Sequence, residues 1–277
     1  MVLSPAPFWV VGHRGSPCDE VENTLPSFER AVAREGANAL EMDVCVTRDG
    51  DLLVWHDFDP GAVEARLRQW KLEPQTRYSP RSFSRCVCEM TVGEARSELA
   101  YDGAPGAFIP TLGDVFTWSR AHPRLGLVFL DLKLPAERTD LVAPFLARLD
   151  RLVAEGKPRF SFVIECAQVE IASELRRQGT RWPVALDIYK TSGLDAVWRL
   201  GVEWGCAQKP RPGQALLPFA RQKRILDRLE DVLRCAFTIN DADEMNELLD
   251  RGVSAIQTDR PARLRELADR RGVPVAA

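Results

Sequence analysis

Residues 12–57 read GHRGSPCDEVENTLPSFERAVAREGANALEMDVCVTRDGDLLVWHD, and they hold two of the chain's three histidines. The stretch parses into alternating elements. Phe8 to Gly12 is a short apolar run that enters it as a buried strand, and Thr24 can cap a helix whose Pro26 sits in the first turn. Leu25, Phe28 and Val32 share one helical face before Gly36 stops it. Ala39 to Val46 is the next strand, and Thr47-Arg48-Asp49-Gly50 turns the chain back along Leu52 to Trp55 as a hairpin. Strand, helix and strand in this order predict a parallel sheet with helices against it.

Working outward, the same alternation returns after an irregular stretch. From Phe58 to Phe108 periodicity is weak and Pro, Arg, Ser and Gly accumulate, so this is read as an insertion carrying one or two short helices. Pro110-Thr111 opens a helix with Leu112, Val115, Phe116 and Ser119 inside, and Gly126 to Lys133 is the third strand. Leu141, Phe145, Leu149 and Leu152 mark the next helix, followed by strands at Phe160 to Cys166, Trp182 to Asp187, Glu203 to Ala207, Cys235 to Ile239 and Ser254 to Thr258. Helices are expected between them at Val169 to Gln178, Leu194 to Leu200, Phe219 to Leu233 and Glu244 to Leu249, with a last one after Arg260-Pro261. Leaving the hairpin's return arm aside, there are eight strands, each followed by a helix, with the continuous apolar character of strands covered on both faces. The expected fold is a (β/α)8 TIM barrel, one domain over residues 1–277 with an insertion at about 58–108 after the second strand; a doubly wound open sheet is the alternative.

Composition narrows the partners. Of the 277 residues 28% are charged, and a net charge of −3 gives no global attraction to nucleic acid or anionic lipid, so any anion site must be local. No apolar run approaches the roughly 18 residues of an integral membrane span, and the N-terminal residues lack a basic leader, so a cytoplasmic protein is expected. The seven cysteines, an odd number lying partly in strands, suit reduced thiols. Cys86-Val87-Cys88 is too closely spaced for a zinc knuckle and has no second pair.

In such a barrel the chemistry sits at the carboxyl ends of the strands. His13-Arg14 follow the first strand, Glu41 and Asp43 point to one side of the second, and Asp131 and Lys133 end the third with the same spacing. Neighbouring carboxylates repel unless a cation lies between them, so Glu41, Asp43 and Asp131 are a ligand set for a hard divalent ion, with Arg14 and Lys133 facing an anion. The structural alternative is that the carboxylates only pair with Arg14 and Lys133. His13 and His56 are placed to move protons near neutral pH, whereas His122, at a helix end, reads as a surface or capping residue. Phosphodiester cleavage uses this whole set: a cation for the phosphoryl oxygens, two cationic side chains for the phosphate, and two proton-transfer groups.

His13-Arg14-Gly15, Glu22-Asn23-Thr24 with Phe28, Glu41-Met42-Asp43-Val44, Thr47-Arg48-Asp49-Gly50 and His56-Asp57 resemble the glycerophosphodiester phosphodiesterase family. Ile109-Pro110-Thr111-Leu112, Thr238-Ile239-Asn240-Asp241 and Thr258-Asp259-Arg260-Pro261 continue the resemblance in order. It implies a TIM barrel with an insertion after the second strand, a divalent metal (Mg or Ca, with Mn an option), and a small-molecule glycerophosphodiester substrate. It further implies catalysis by His13 and His56, metal ligation by Glu41 and Asp43, phosphate binding by Arg14, and a site shaped by Glu22 and Asn23. Two residues depart from the family. Asp131-Leu132-Lys133 stands where Glu-x-Lys is usual and is similar to the related sphingomyelinase D type phospholipases, so a lysophospholipid cleaved through a cyclic phosphate is a second substrate reading. Phe237 replaces a usual Trp. A third reading is a barrel that binds a phosphate ester without turning it over, against which the paired histidines argue. Trp70, Arg77, Tyr78, Arg81 and Arg85 form either a lid over the head group or a solvated surface. Sequence alone leaves oligomeric state undefined.

Overall fold

The computed structural model describes residues 7–62, 79–80, 85–101, 104–209, 218–229 and 231–276. Strand β1 (Trp9–His13) leads through the helix Leu25–Glu29 and a π-helical turn, Arg30–Arg34, to β2 (Ala39–Val46). Strand β3 (Leu52–Val54) runs antiparallel to β2, with Val46 opposite Leu52, as the hairpin reading expects. After the small pair β4 (Ser79–Pro80) and β5 (Leu99–Ala100) come β6 (Leu127–Leu132), β7 (Ser161–Cys166), β8 (Val184–Ile188), β9 (Trp204–Gln208), β10 (Leu233–Phe237) and β11 (Ala255–Thr258). Their order around the sheet is β1-β11-β10-β9-β8-β7-β6-β2, and β1 also pairs in parallel with β2. That last pairing closes a parallel eight-stranded barrel and excludes the open doubly wound sheet.

Alternation along each strand decides what fills the barrel. Val11, Ala39, Phe129, Val163, Ala185, Cys206, Cys235 and Ala255 pack together in the lumen. Their neighbours Val10, Leu40, Leu130, Ile164 and Leu186 face outward onto helical residues such as Phe28, Leu149, Ile171, Val197 and Leu264. Two positions beyond six of these lumen residues the inward side chains are polar, His13, Glu41, Asp131, Glu165, Asp187 and Gln257, whereas Phe237 extends the apolar lumen on β10. Register keeps several of them level, with His13 beside Glu41, Asp43 beside Asp131, and Asp131 beside Glu165. An apolar plug thus underlies a polar mouth at the strands' carboxyl ends.

One helix differs from expectation. The segment read as Phe219 to Leu233 is helical only over Pro218–Leu226, and Leu233 already begins β10 opposite Trp204. Leu229, which continued the helical apolar period, instead drops onto β9, where a Cβ at Gly205 would meet its Cδ1 at 2.7 Å. The apolar spacing therefore recorded burial by two different elements.

Of the stretch 58–108, the described parts include a 3-10 turn at Val87–Glu89 and the helix Val92–Glu98. Val87, Met90, Ala95, Leu99 and Tyr101 form a cluster with Cys45, Leu53 and Trp55 of the hairpin. Trp70, Arg77, Tyr78 and Arg81 lie outside the described residues. Arg85 is paired with Glu98 and Glu94 of the helix. No described helix is long and apolar enough to cross a membrane.

Candidate active site

His13 ends β1, and its Nδ1 lies 2.8 Å from Asp259 Oδ1 beyond the end of β11. Asn240 fixes that carboxylate: its Nδ2 donates to Asp259 Oδ2 at 2.6 Å, while its Oδ1 accepts from the Asp259 backbone N–H. The other ring nitrogen, Nε2, is 3.9 Å from Glu41 Oε2. Burial and the Arg14 charge push the imidazole pKa down, but the hydrogen bond and charge of Asp259 and the charge of Glu41 outweigh them and leave it above its ordinary value. His56 follows the hairpin strand, where Trp55 N–H donates to the Asp43 carbonyl at 3.1 Å. Its Nδ1 lies 2.5 Å from Asp57 Oδ1. Each candidate proton-transfer residue is therefore oriented by its own aspartate.

Asp43 is the hub of the acidic set. Fully buried, it is 3.0 Å from Arg14 Nε and 3.0 Å from Lys133 Nζ, and it accepts from Asn23 Nδ2 at 2.6 Å. Burial alone would raise its pKa; Arg14, Lys133 and Asn23 reverse the effect and bring it to about 2. Glu41, two residues earlier, goes the other way, pushed up to about 8 by burial and then by Asp43. Burial also raises Asp131, which bonds Lys133.

Arg14 and its neighbours are held by local backbone geometry. Arg14 and Asn23 both adopt left-handed φ, 54° and 57°, which is uncommon for residues other than glycine. Between them the loop packs so tightly that a Cβ on Gly15, itself at φ 92°, would lie 2.3 Å from Ser27 Oγ. The result is an Arg14 only 5% exposed, donating to Glu22 Oε2 at 3.0 Å and through its backbone N–H to Glu41 Oε2 at 2.9 Å. Lys133 keeps 21% of its side chain exposed. The carboxylates thus do pair with both cations, as the structural alternative had it, yet the pairing is incomplete. Glu41 Oε1 and Asp131 Oδ1 are buried without hydrogen-bond partners among the described residues. One oxygen each from Glu41, Asp43 and Asp131 lies within 4.8 Å of the others, an all-oxygen set that fits a hard divalent cation.

His122 stays apart from this group. Its Nε2 is 2.7 Å from Glu29 Oε2 and its ring stacks on Trp118, so it is a half-buried bracket between two helices rather than the surface or capping residue expected. Asp57, Asp259 and Asn240 were missed as partners of the histidines, although Asp259 stands at a strand's carboxyl end as visibly as Asp131. Glu165 and Asp187 were missed in the same way.

The chain matches the model of the glycerophosphoryl diester phosphodiesterase family over residues 13–263. A glycerophosphodiester phosphodiesterase domain-containing protein 4 from Macaca fascicularis is 28% identical over 171 residues, covering 56% of this chain and 26% of the relative. A glycerophosphodiester phosphodiesterase from Caldanaerobacter subterraneus is 46% identical over 48 residues, or 17% of this chain and 19% of that one. The matched stretches thus span about a quarter or less of these curated relatives. Among solved structures, an Oleispira antarctica phosphodiesterase in complex with the product sn-glycerol-3-phosphate superposes with a TM-score of 0.70 at 18% identity, covering 95% of this chain and 97% of the other. A glycerophosphodiester phosphodiesterase from Parabacteroides distasonis gives 0.65 at 18% identity, with 97% and 100% covered. With its family match running from the histidine of β1 to the helix after β11, the chain belongs to the glycerophosphoryl diester phosphodiesterase family.

Proposed function

We propose that this protein is a metal-dependent hydrolase that converts glycerophosphodiesters to glycerol 3-phosphate and an alcohol. One observation carries the reading: two aspartate-oriented histidines and a cation-ready carboxylate set occupy the carboxyl ends of β1, β2 and β6 and the hairpin beside them. The sn-glycerol-3-phosphate bound to the Oleispira enzyme agrees with it.

A divalent ion held by Glu41, Asp43 and Asp131, with Mg or Ca favoured and Mn an option, would neutralise phosphoryl charge and lower the pKa of an attacking hydroxyl or water. Lys133, the more exposed cation, contacts the phosphate directly, whereas Arg14 adds its charge from behind Asp43 and Glu41. Attack forms one P–O bond and breaks that to the leaving alcohol, so one histidine starts neutral and the other protonated. The raised pKa of His13 suits it to donate a proton to the departing oxygen. His56, held by Asp57, then accepts the proton of the attacking group.

Asp259→Asn tests that division. It removes the charge that raises His13, so the histidine titrates at lower pH in an NMR experiment. A general acid must be protonated, so the alkaline limb of the pH–rate profile moves down with it, and misorientation lowers kcat by about 100-fold. An unmoved alkaline limb would assign the donor role elsewhere. For the activity itself, purified protein supplied in turn with Mg, Ca and Mn is expected to hydrolyse members of a glycerophosphodiester panel and to stop when a chelator is added. No chelator-sensitive hydrolysis across the panel would refute the reading.

Asp131, one methylene shorter than the glutamate usual in the family, supports a second substrate reading, a lysophospholipid attacked by its own hydroxyl. Phosphorus NMR distinguishes it through a persistent cyclic phosphate. We assign the protein to the cytosol and treat residues 1–277 as one domain; the seven free thiols agree with a reducing compartment.

A further inference from the structure

The polar mouth holds more carboxylates than this mechanism uses. On β7, Glu165 lies two residues beyond the lumen residue Val163, and on β8 Asp187 lies two beyond Ala185, so both point inward. Cys206 of β9 is level with Asp187, and Cys235 of β10 is level with Cys206. Glu165 and Cys206 are fully buried and Asp187 is 6% exposed. One ligand atom each from Glu165, Asp187 and Cys206 lies within 4.8 Å of the others, in a group separate from Glu41, Asp43 and Asp131.

The hydrogen bonds around this group are incomplete. Gln257 Nε2 donates to Glu165 Oε2 at 2.8 Å from across the barrel, and the Tyr189 hydroxyl reaches Asp187 Oδ2 at 3.4 Å. Asp187 Oδ1 is buried with no nitrogen or hydroxyl donor among the described residues. The neighbouring Glu165 carboxyl, held protonated by burial, shares a hydrogen bond with Asp187, and an entering ion takes the place of that proton. No lysine or arginine forms an ion pair with Glu165 or Asp187 among the described residues, in contrast to Asp43 with its two cations.

We propose that Glu165, Asp187 and Cys206 form a second cation site, for a borderline-soft divalent ion of the zinc class, on the floor of the barrel mouth. Sulfur sets its preference: two carboxylates alone suit Mg or Ca, but a thiolate ligand favours zinc, cobalt or cadmium. On binding, the Cys206 S–H and Glu165 O–H bonds break, both protons leave to solvent, and metal–sulfur and metal–oxygen bonds form. Burial holds the Cys206 thiol and the Glu165 carboxyl well above their usual ranges, so protons compete with the ion and affinity rises with pH. Such an ion ties β7, β8 and β9 together and neutralises the side of the mouth opposite β2. The site stands whether or not the hydrolytic reading holds.

The test uses the full chain, stripped with chelator and then titrated with Co2+ in excess Mg2+. The expected result is a thiolate-to-cobalt charge-transfer band in the near ultraviolet that saturates at one equivalent. It persists in Cys88→Ala, which removes a thiol outside the barrel, and in Glu41→Gln, which weakens only the all-oxygen site. It disappears in Cys206→Ala. The proposal is overturned if wild-type protein shows no such band, a result that needs no variant to fold, or if the band survives in Cys206→Ala. Because band and hydrolysis are read separately, loss of one does not count against the other.

Discussion

Alanine at position 13 is expected to lower kcat for a glycerophosphodiester by about 10²- to 10⁴-fold, the range for removing a positioned proton-transfer group. The loss falls on the chemical step. His13 does not close the carboxylate set, since Glu41 Oε2 remains fixed by the Arg14 backbone N–H. The metal concentration needed for half-maximal residual activity is therefore expected to stay within a few-fold of wild type. His56→Ala should behave alike, because Asp57 leaves it the same freedom to accept a proton. If either variant keeps activity within tenfold of wild type, the acid and base lie elsewhere.

Asp43→Ala is expected to cost stability as well as activity. Removing this carboxylate takes away the partner that Arg14 and Lys133 share, leaving Arg14 with Glu22 and Lys133 with Asp131. Losing one charged partner of two costs about 1.5–3 kcal/mol. At this chain length that is a fall in Tm of roughly 5–10 °C, read by calorimetry in chelator. Glu41→Gln is expected to raise Tm at pH 7 in chelator, because folding otherwise has to protonate a carboxyl that is ionised in the unfolded chain and titrates at about 8 once buried. The pH dependences differ in sign. With its pKa lowered to about 2, Asp43 contributes stability above its unfolded value near 3.8, and that contribution is lost as pH falls through 2. Glu41 is raised, so without a cation it costs stability progressively as pH climbs from about 4.5 to 8. Equal Tm losses in the two variants would contradict this contrast.

The sequence made the barrel and the metal-ligand candidates legible because both depend on short-range spacing. Glu41 and Asp43 share a face by the two-residue strand period, and so do Asp131 and Lys133. The partners of the histidines were harder to read. Asp259 reaches His13 from 246 residues away, and only barrel closure makes the two adjacent. Burial also hid the opposite pKa shifts of Glu41 and Asp43, which look equivalent in the string EMD. Leu229 misled for the converse reason, since an apolar residue at helical spacing serves equally well as a turn packed on a strand. Glu165 and Asp187 sat at recognised strand ends, but without a cation in the sequence beside them they carried no signal until the lumen brought Cys206 level.

The seam between β1 and β11 also sets when the protein can work. His13 is made 246 residues before its aspartate, so a chain elongating at 5–20 residues per second waits roughly 10–50 s between the two. Until β11 leaves the ribosome, the first strand has only one of its two neighbours in the barrel. A chain interrupted before β11 therefore carries the histidine without the residue that holds it, and the His13–Asp259 pair forms only once β11 has joined β1.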